Sequence, residues 1–229
     1  KHEIKERLVK QSNFEIFDTY GASEVGTITN INLKKEQKKI KSNGKVTLGY
    51  NVSILKNSKL TNVPFTNGEI CCHTKNIFTG YFGLMDKQKS NKALNKFFQT
   101  GDIGYFDKEN YLYVTGRKKD IIIRGGVNIF PSDIEQILNR FPNIIESAVI
   151  GVEVKNLGET IYAFIRLKRN KQINSKIFYK YCFKNFADFQ FPSKFFIVKE
   201  FPRASLNKIS KYLLKKNISK YANNRNLIK

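Results

Sequence analysis

The run Ile121-Ile-Ile-Arg-Gly-Gly-Val-Asn-Ile-Phe-Pro-Ser-Asp-Ile-Glu135 is where the chain changes character. Ile121–Arg124 is a short apolar strand, and Gly125-Gly126 mark backbone that turns or closely approaches another group. A helix starts at Pro131-Ser132-Asp133. Ser132 and Glu135 have the spacing of a capping box, which predicts reciprocal bonds to free amides of the first turn. Ile134, Ile137, Leu138 and Phe141 then repeat at helical spacing and predict one buried face. Further on, 146–154 and 160–168 read as strands. Residues 175–187 read as a helix with Ile177, Tyr181 and Phe186 among its buried candidates. Phe195–Lys199 reads as a strand and 208–216 as a closing helix. Residues 120–229 are therefore expected to form a small α+β unit with a short sheet and packed helices.

Upstream the pattern is different. Residues 1–18 read as the end of a helix leading into a strand, Phe14–Asp18, with a turn at Tyr20-Gly21-Ala22. Residues 46–55 and 68–74 read as strands bounded by Asn, Gly and Pro. Ile103–Phe106 and Tyr111–Thr115 flank a turn at Asp107-Lys-Glu-Asn110, in which Asn110 suits a left-handed position. The basic segment 34–45 reads as a solvated connection. Residues 1–119 are thus mostly β, the boundary falls near Lys119, and the whole chain is α+β with no internal repeat.

Composition narrows the function classes. The chain has 229 residues, 41% of them hydrophobic, which is enough for a real core. No run of about 18 apolar residues occurs, so no membrane span is expected. The first residue is Lys1, and the N-terminus reads as a cut end. The net charge of +22 suggests a polyanionic partner such as a nucleic acid. AT-rich codon usage is the preferred reading, since Lys far outnumbers Arg and Asn, Ile, Phe and Tyr are all frequent. Cys71, Cys72 and Cys182 cannot all pair, which fits a reducing cytoplasm. Cys71-Cys72-His73 lacks the second ligand pair of a zinc site and reads as strand.

Three more clusters carry chemistry. Tyr20-Gly21-Ala22-Ser23-Glu24 gathers an aromatic ring, a hydroxyl and a carboxylate, a set suited to base, phosphate and magnesium, or to an ordinary turn. Thr100-Gly101-Asp102 is followed across a hairpin by Gly116-Arg117-Lys118-Lys119-Asp120. A carboxylate can accept from both hydroxyls of a ribose, and Arg117 can return to the same nucleotide; a plain Asp102–Arg117 surface pair is the alternative. Phe201-Pro202-Arg203-Ala204-Ser205-Leu206-Asn207-Lys208-Ile209 places a lysine on a loop before a helix, for solubility or for stabilising negative charge.

Together these clusters resemble the motifs of the AMP-forming acyl-CoA synthetases, luciferases and peptide-synthetase adenylation domains. The resemblance runs over nearly the whole chain but covers only the C-terminal part of such an enzyme. It implies that residues 1–119 close a large, distorted barrel-like adenylate-forming domain and that 120–229 are its mobile small domain, hinged near Lys119. By the same resemblance Tyr20 and Gly21 meet adenine, Ser23 a phosphate and Glu24 Mg2+. Asp102 and Arg117 hold the ribose, Gly125 and Gly126 line the tunnel to the thiol, and Lys208 serves adenylation. Ser23 stands where the family has Thr, and Asn207 where it has Gly.

The implied reaction activates a carboxylic acid, a fatty or other acyl acid, with ATP and transfers it to CoA. The Gly-Gly-x-Asn-Ile run favours CoA over a carrier-protein thiol. A Ser/Thr/Gly-rich phosphate-binding loop, expected upstream of Tyr20, does not occur. A basic nucleic-acid-binding module and an inactive relic stay open as rival readings.

Overall fold

The computed structural model describes residues 2–80, 97–154, 158–204, 207–223 and 227–228. The chain divides into two compact units, Lys1–Lys118 and Lys119–Lys229.

In the first unit, helix α1 (His2–Gln11) precedes an antiparallel sheet of β1 (Phe17–Ala22), β2 (Gly26–Asn32) and β3 (Lys45–Val46). A second antiparallel sheet joins β4 (Tyr50–Lys56), β5 (Lys59–Thr61), β6 (Gly68–Thr74), β7 (Phe98–Phe106) and β8 (Leu112–Arg117) in the order β5-β4-β6-β7-β8. Period-two alternation puts Val52 and Ile54 of β4 and Ile70 and Cys72 of β6 into one core with Val25, Ile28, Phe106 and Leu112. Residues Glu69, Cys71 and His73 take the opposite face of β6. Burial pushes the Cys71 thiol up to about 12 and the Cys72 thiol up to about 11, which keeps both protonated. Among the described residues no group of three or more His, Cys, Asp or Glu could hold a metal ion.

Three expectations for this unit change. The first strand starts at Phe17 and not at Phe14, which is exposed. Tyr20-Gly21-Ala22 lie within β1, and the turn falls on residues 23–25, closed by Val25 N–H to the Ala22 carbonyl at 3.1 Å. Gly21 pairs with Thr27 of β2, and the close approach of the two strands there needs a glycine: a Cβ on Gly21 would sit 2.1 Å from the Gly26 carbonyl oxygen. The basic segment is not merely solvated. It carries a 3-10 turn, Gln37–Lys39, whose Lys39 ammonium binds the carboxylates of Asp107 and Glu109.

The second unit is a sheet with helices on both faces. Its strands are β9 (Ile122–Arg124), β10 (Val127–Ile129), β11 (Ile144–Val154), β12 (Gly158–Leu167) and β13 (Lys194–Ile197). β11 pairs antiparallel with one edge of β12. Along the other edge Gly158 pairs with Arg124, and Tyr162–Ile165 run parallel to β13. Both faces of the middle of β11 and β12 are buried, so the sequences there are apolar without alternation. On one face Val149, Ile161, Ala163 and Ile165 meet α2 (Pro131–Arg140) and α3 (Ser175–Asn185). On the other, Ala148, Ile150, Phe164 and Phe196 meet α4 (Lys211–Lys216) and α5 (Ile218–Tyr221). No helix among the described residues is long and apolar enough to cross a membrane.

Ser132 does not take the N-cap position that a capping box requires. Phe130 is the N-cap of α2 and gives no side-chain cap. The Glu135 carboxylate instead accepts from Val149 N–H at 2.8 Å and pairs with Lys211 at 2.7 Å, so tertiary partners win over the local amide. Ile177 is 61% exposed, because α3 turns Phe178 and Cys182 inward, one turn apart. The closing helix starts at Lys211 behind the N-cap Ser210, which leaves Lys208 on a loop.

Candidate functional site

Of the first unit's candidate residues, Tyr20 and Arg117 converge on Asp102. The β7–β8 register sets Asp102 directly opposite Arg117, and Arg117 Nε lies 2.8 Å from Asp102 Oδ1. Tyr20, 82 positions earlier on β1, donates its hydroxyl to Asp102 Oδ2 at 2.9 Å. The Thr100 hydroxyl accepts from Asp102 N–H at 3.1 Å and donates to the Ile70 carbonyl at 2.8 Å. Gly101, at φ +72, allows the strand to turn Asp102 onto this cluster. Burial, then the Asp102 carboxylate, push the Tyr20 phenol well above its ordinary value, so Tyr20 stays a donor.

The result is a carboxylate whose side chain is only 9% exposed, held by two neighbours, beside a guanidinium that is 54% exposed. Of the two alternatives, the salt bridge is directly visible. The ion pair is there, but an ordinary surface pair does not recruit a buried carboxylate and a tyrosine from another sheet. An ionised carboxylate has about four acceptor positions, and Tyr20 and Arg117 take two of them. The rest can accept from a pair of hydroxyls.

Ser23 and Glu24 follow in the turn between β1 and β2. The Glu24 carbonyl accepts from Phe78 N–H at 2.8 Å, which ties the turn to the chain beyond β6. Gly26, at φ +76, restarts β2. A single carboxylate suits Mg2+ that arrives on phosphates, because that ion is commonly held by one or two carboxylates plus substrate oxygens.

In the second unit Gly125 and Gly126 form the two-residue link of the β9–β10 hairpin, with φ of +56 and +80. A Cβ at either position would meet nothing within 4 Å. Their backbone conformation, not crowding, therefore selects glycine, as in a type I′ turn. Arg124 fastens this hairpin by donating to the carbonyls of Phe189 at 3.3 Å and Phe191 at 3.1 Å. Lys119 is exposed in the 3-10 turn Lys118–Asp120.

Lys208 is exposed on a narrow loop. Arg203 bridges Ile209 antiparallel, Ala204 N–H donates to the Lys208 carbonyl at 2.7 Å, and Ser210 N–H to the Pro202 carbonyl at 2.8 Å. Asn207 takes φ +58, the left-handed conformation that a glycine would otherwise supply. Ser205 and Leu206, quoted in this motif, lie outside the described residues.

Sequence reasoning missed several participants. Thr100, the first residue of Thr100-Gly101-Asp102, organises Asp102 through its hydroxyl. Glu146, which binds both Arg166 and Arg203 as described below, has no place among the sequence candidates. A glutamate inside the apolar run Ile144–Val152 was the available signal, since a charge there requires a partner.

A family model described as the AMP-binding enzyme C-terminal domain matches residues 133–208. The 2-succinylbenzoate–CoA ligase of Bacillus subtilis is 31% identical over 209 residues, covering 90% of this chain and 42% of its own. The mitochondrial medium-chain acyl-CoA ligase ACSF2 of Bos taurus is 29% identical over 225 residues, covering 96% of this chain and 37% of its own. The solved o-succinylbenzoate CoA synthetase of Bacillus subtilis, in complex with its acyl-adenylate intermediate, superposes with a TM-score of 0.82. That match has 29% identity and covers 95% of this chain and 43% of the other. The chain thus spans less than half the length of the relatives it matches.

Proposed function

The chain belongs to the superfamily of AMP-forming acyl-CoA synthetases and related adenylating enzymes, matching its C-terminal part, and from that premise we propose that the protein carrying it is an acid–CoA ligase. The observation that carries this reading is the Asp102 cluster, a buried carboxylate held by Tyr20 and Arg117 with acceptor positions to spare.

In the proposed reaction the substrate carboxylate attacks the α-phosphate of ATP. The bond to pyrophosphate breaks, and acyl-AMP forms. The thiol of CoA then attacks the acyl carbon, gives its proton to solvent, and releases AMP. No covalent enzyme intermediate is required, so positioning and electrostatics carry both steps. Asp102 accepts from the ribose hydroxyls, Arg117 donates to the same nucleotide, and Tyr20 holds the Asp102 carboxylate while its ring meets adenine, beside Gly21. Ser23 donates to a phosphate, and Glu24 binds the Mg2+ that ATP brings. Lys208 places its ammonium against charge developing at the α-phosphate. The β9–β10 turn, Gly125-Gly126, offers bare backbone to the pantetheine arm. Lys119, at the boundary between the two units, is the proposed hinge.

Fatty acids are the proposed acid class, supported by the activity named for the bovine relative; 2-succinylbenzoate is the competing substrate, supported by the Bacillus relatives. The test is thioester formation by the complete protein with ATP, a panel of alkyl and aryl acids, and either CoA or a holo-carrier protein. CoA thioesters of alkyl acids are expected. Acylation of the carrier alone would overturn the choice of CoA, and activity with aryl acids alone would overturn the choice of acid.

A further inference from the structure

The loop that presents Lys208 is held from behind by a glutamate on a different element. Glu146 lies near the start of β11, directly opposite Arg166 on β12. Arg166 Nε reaches Glu146 Oε1 at 2.5 Å. Arg203, the residue that opens the Lys208 loop, approaches the same carboxylate as a fork, Nη2 to Oε1 at 2.5 Å and Nη1 to Oε2 at 3.1 Å. The same Arg203 Nη1 also donates to the carbonyl of Asn207 at 3.2 Å. Asn207 is the left-handed residue immediately before Lys208. One carboxylate therefore fixes a guanidinium that in turn fixes the backbone turn carrying the lysine.

This is unlike an ordinary surface ion pair, which contributes little to stability. The Glu146 side chain is 17% exposed, and two arginines converge on it, Arg203 as a bidentate fork and Arg166 through Nε alone. Burial disfavours its charge, but hydrogen bonds from Arg203 and Arg166 outweigh that and hold the carboxyl below the usual glutamate range. Beyond the loop a second pair, Glu135 with Lys211 at 2.7 Å, ties the first residue of α4 to α2. The segment from Arg203 to Lys211 is thus pinned at both ends to the rigid sheet-and-helix body of its unit.

We propose that Glu146 is a positioning residue for the adenylating half-reaction, acting through Arg203 to set the conformation in which Lys208 is presented. This rests on the reading of Lys208 as the adenylation lysine. Glu146 does not touch substrate; its neutral amide would keep the side-chain shape, lose the charge that both guanidinia share, and release the Arg203 fork.

Two readouts test it in Glu146→Gln and Arg203→Gln. The first is hydrogen exchange at the Ala204 and Ser210 amides, both of which close the loop. Exchange there should accelerate by about tenfold or more while β11 and β12 amides stay protected, because only a local opening is released. The double variant should exchange no faster than either single one, as expected for two partners in one contact. The second readout separates the half-reactions. Adenylate formation should fall by about 10- to 100-fold, in line with the cost of a small misplacement. Conversion of supplied acyl adenylate to thioester should change by less than about threefold, since Lys208 is not used there. Unchanged loop exchange in both variants would overturn the proposal, as would equal losses in the two half-reactions. If the wild-type protein forms no adenylate from any acid, the functional reading fails, and the exchange rates alone decide whether Glu146 holds the loop.

Discussion

Replacing Asp102 with alanine removes the acceptor on which the nucleotide reading depends. The folding cost is limited by the geometry. Arg117 is 54% exposed and regains water, and the Tyr20 hydroxyl keeps Thr100 Oγ1 at 3.4 Å as a second partner. Leaving one half-buried hydroxyl under-satisfied costs about 1–3 kcal/mol. The loss in binding should be larger. Two ribose hydroxyls donating to an ionised carboxylate are worth about 1.5–3 kcal/mol each, or roughly 3–6 kcal/mol together. At 1.4 kcal/mol per tenfold, this amounts to about 10²- to 10⁴-fold in affinity. Calorimetric titration of the complete protein with AMP and with 2′,3′-dideoxy-AMP isolates the contact. The wild type should prefer AMP by about that factor, and Asp102→Ala should bind the two equally. A variant that still prefers AMP to the same extent would refute the assignment of Asp102 to the ribose.

Other outcomes follow from the same geometry. Gly21→Ala places a Cβ 2.1 Å from the Gly26 carbonyl oxygen, so β1 must shift; the cost should be about 1–3 kcal/mol, seen as a lower denaturant midpoint. Asn207→Gly should keep adenylation intact, because glycine takes φ +58 freely. Asn207→Val should cost about 1–2 kcal/mol of local strain and slow adenylation while sparing thioester formation from supplied adenylate, measured by single turnover. Glu146 titrates in the folded state below the ordinary glutamate value of 4.5, so its stabilisation is complete above that pH and is lost as pH falls through the lower folded value. The stability difference between wild type and Glu146→Gln should therefore shrink in urea titrations taken from neutral pH into the acid range, and a constant difference would contradict the clamp.

Periodicity carried most of the fold into view. The face made by Ile134, Leu138 and Phe141 packs as its spacing predicts, and the Asp107–Asn110 turn places Asn110 at φ +62. Local rules failed where long-range partners compete for the same atoms. Glu135 has capping-box spacing but is drawn away to Val149 and Lys211, and no single-sequence rule contains that choice. Ile177 looks as apolar as Phe178, and only the direction in which α3 meets the sheet decides between them. The candidate site divides in the same way. Asp102 and Arg117 were legible because a hairpin of regular pairing separates them. The Tyr20–Asp102 bond joins two sheets across 82 positions and could not be read from spacing. Asn207 was legible as a residue that tolerates left-handed backbone, whereas the Arg203–Glu146–Arg166 cluster needed the β11–β12 register to appear.

The most direct measurement is acid-dependent exchange of labelled pyrophosphate into ATP by the complete protein, compared with Lys208→Ala. Exchange that requires a carboxylic acid, falls by about 10²-fold or more in Lys208→Ala, and coincides with retained thioester formation from supplied acyl adenylate is the predicted result. No exchange with any acid, or exchange that is indifferent to Lys208, would contradict the account.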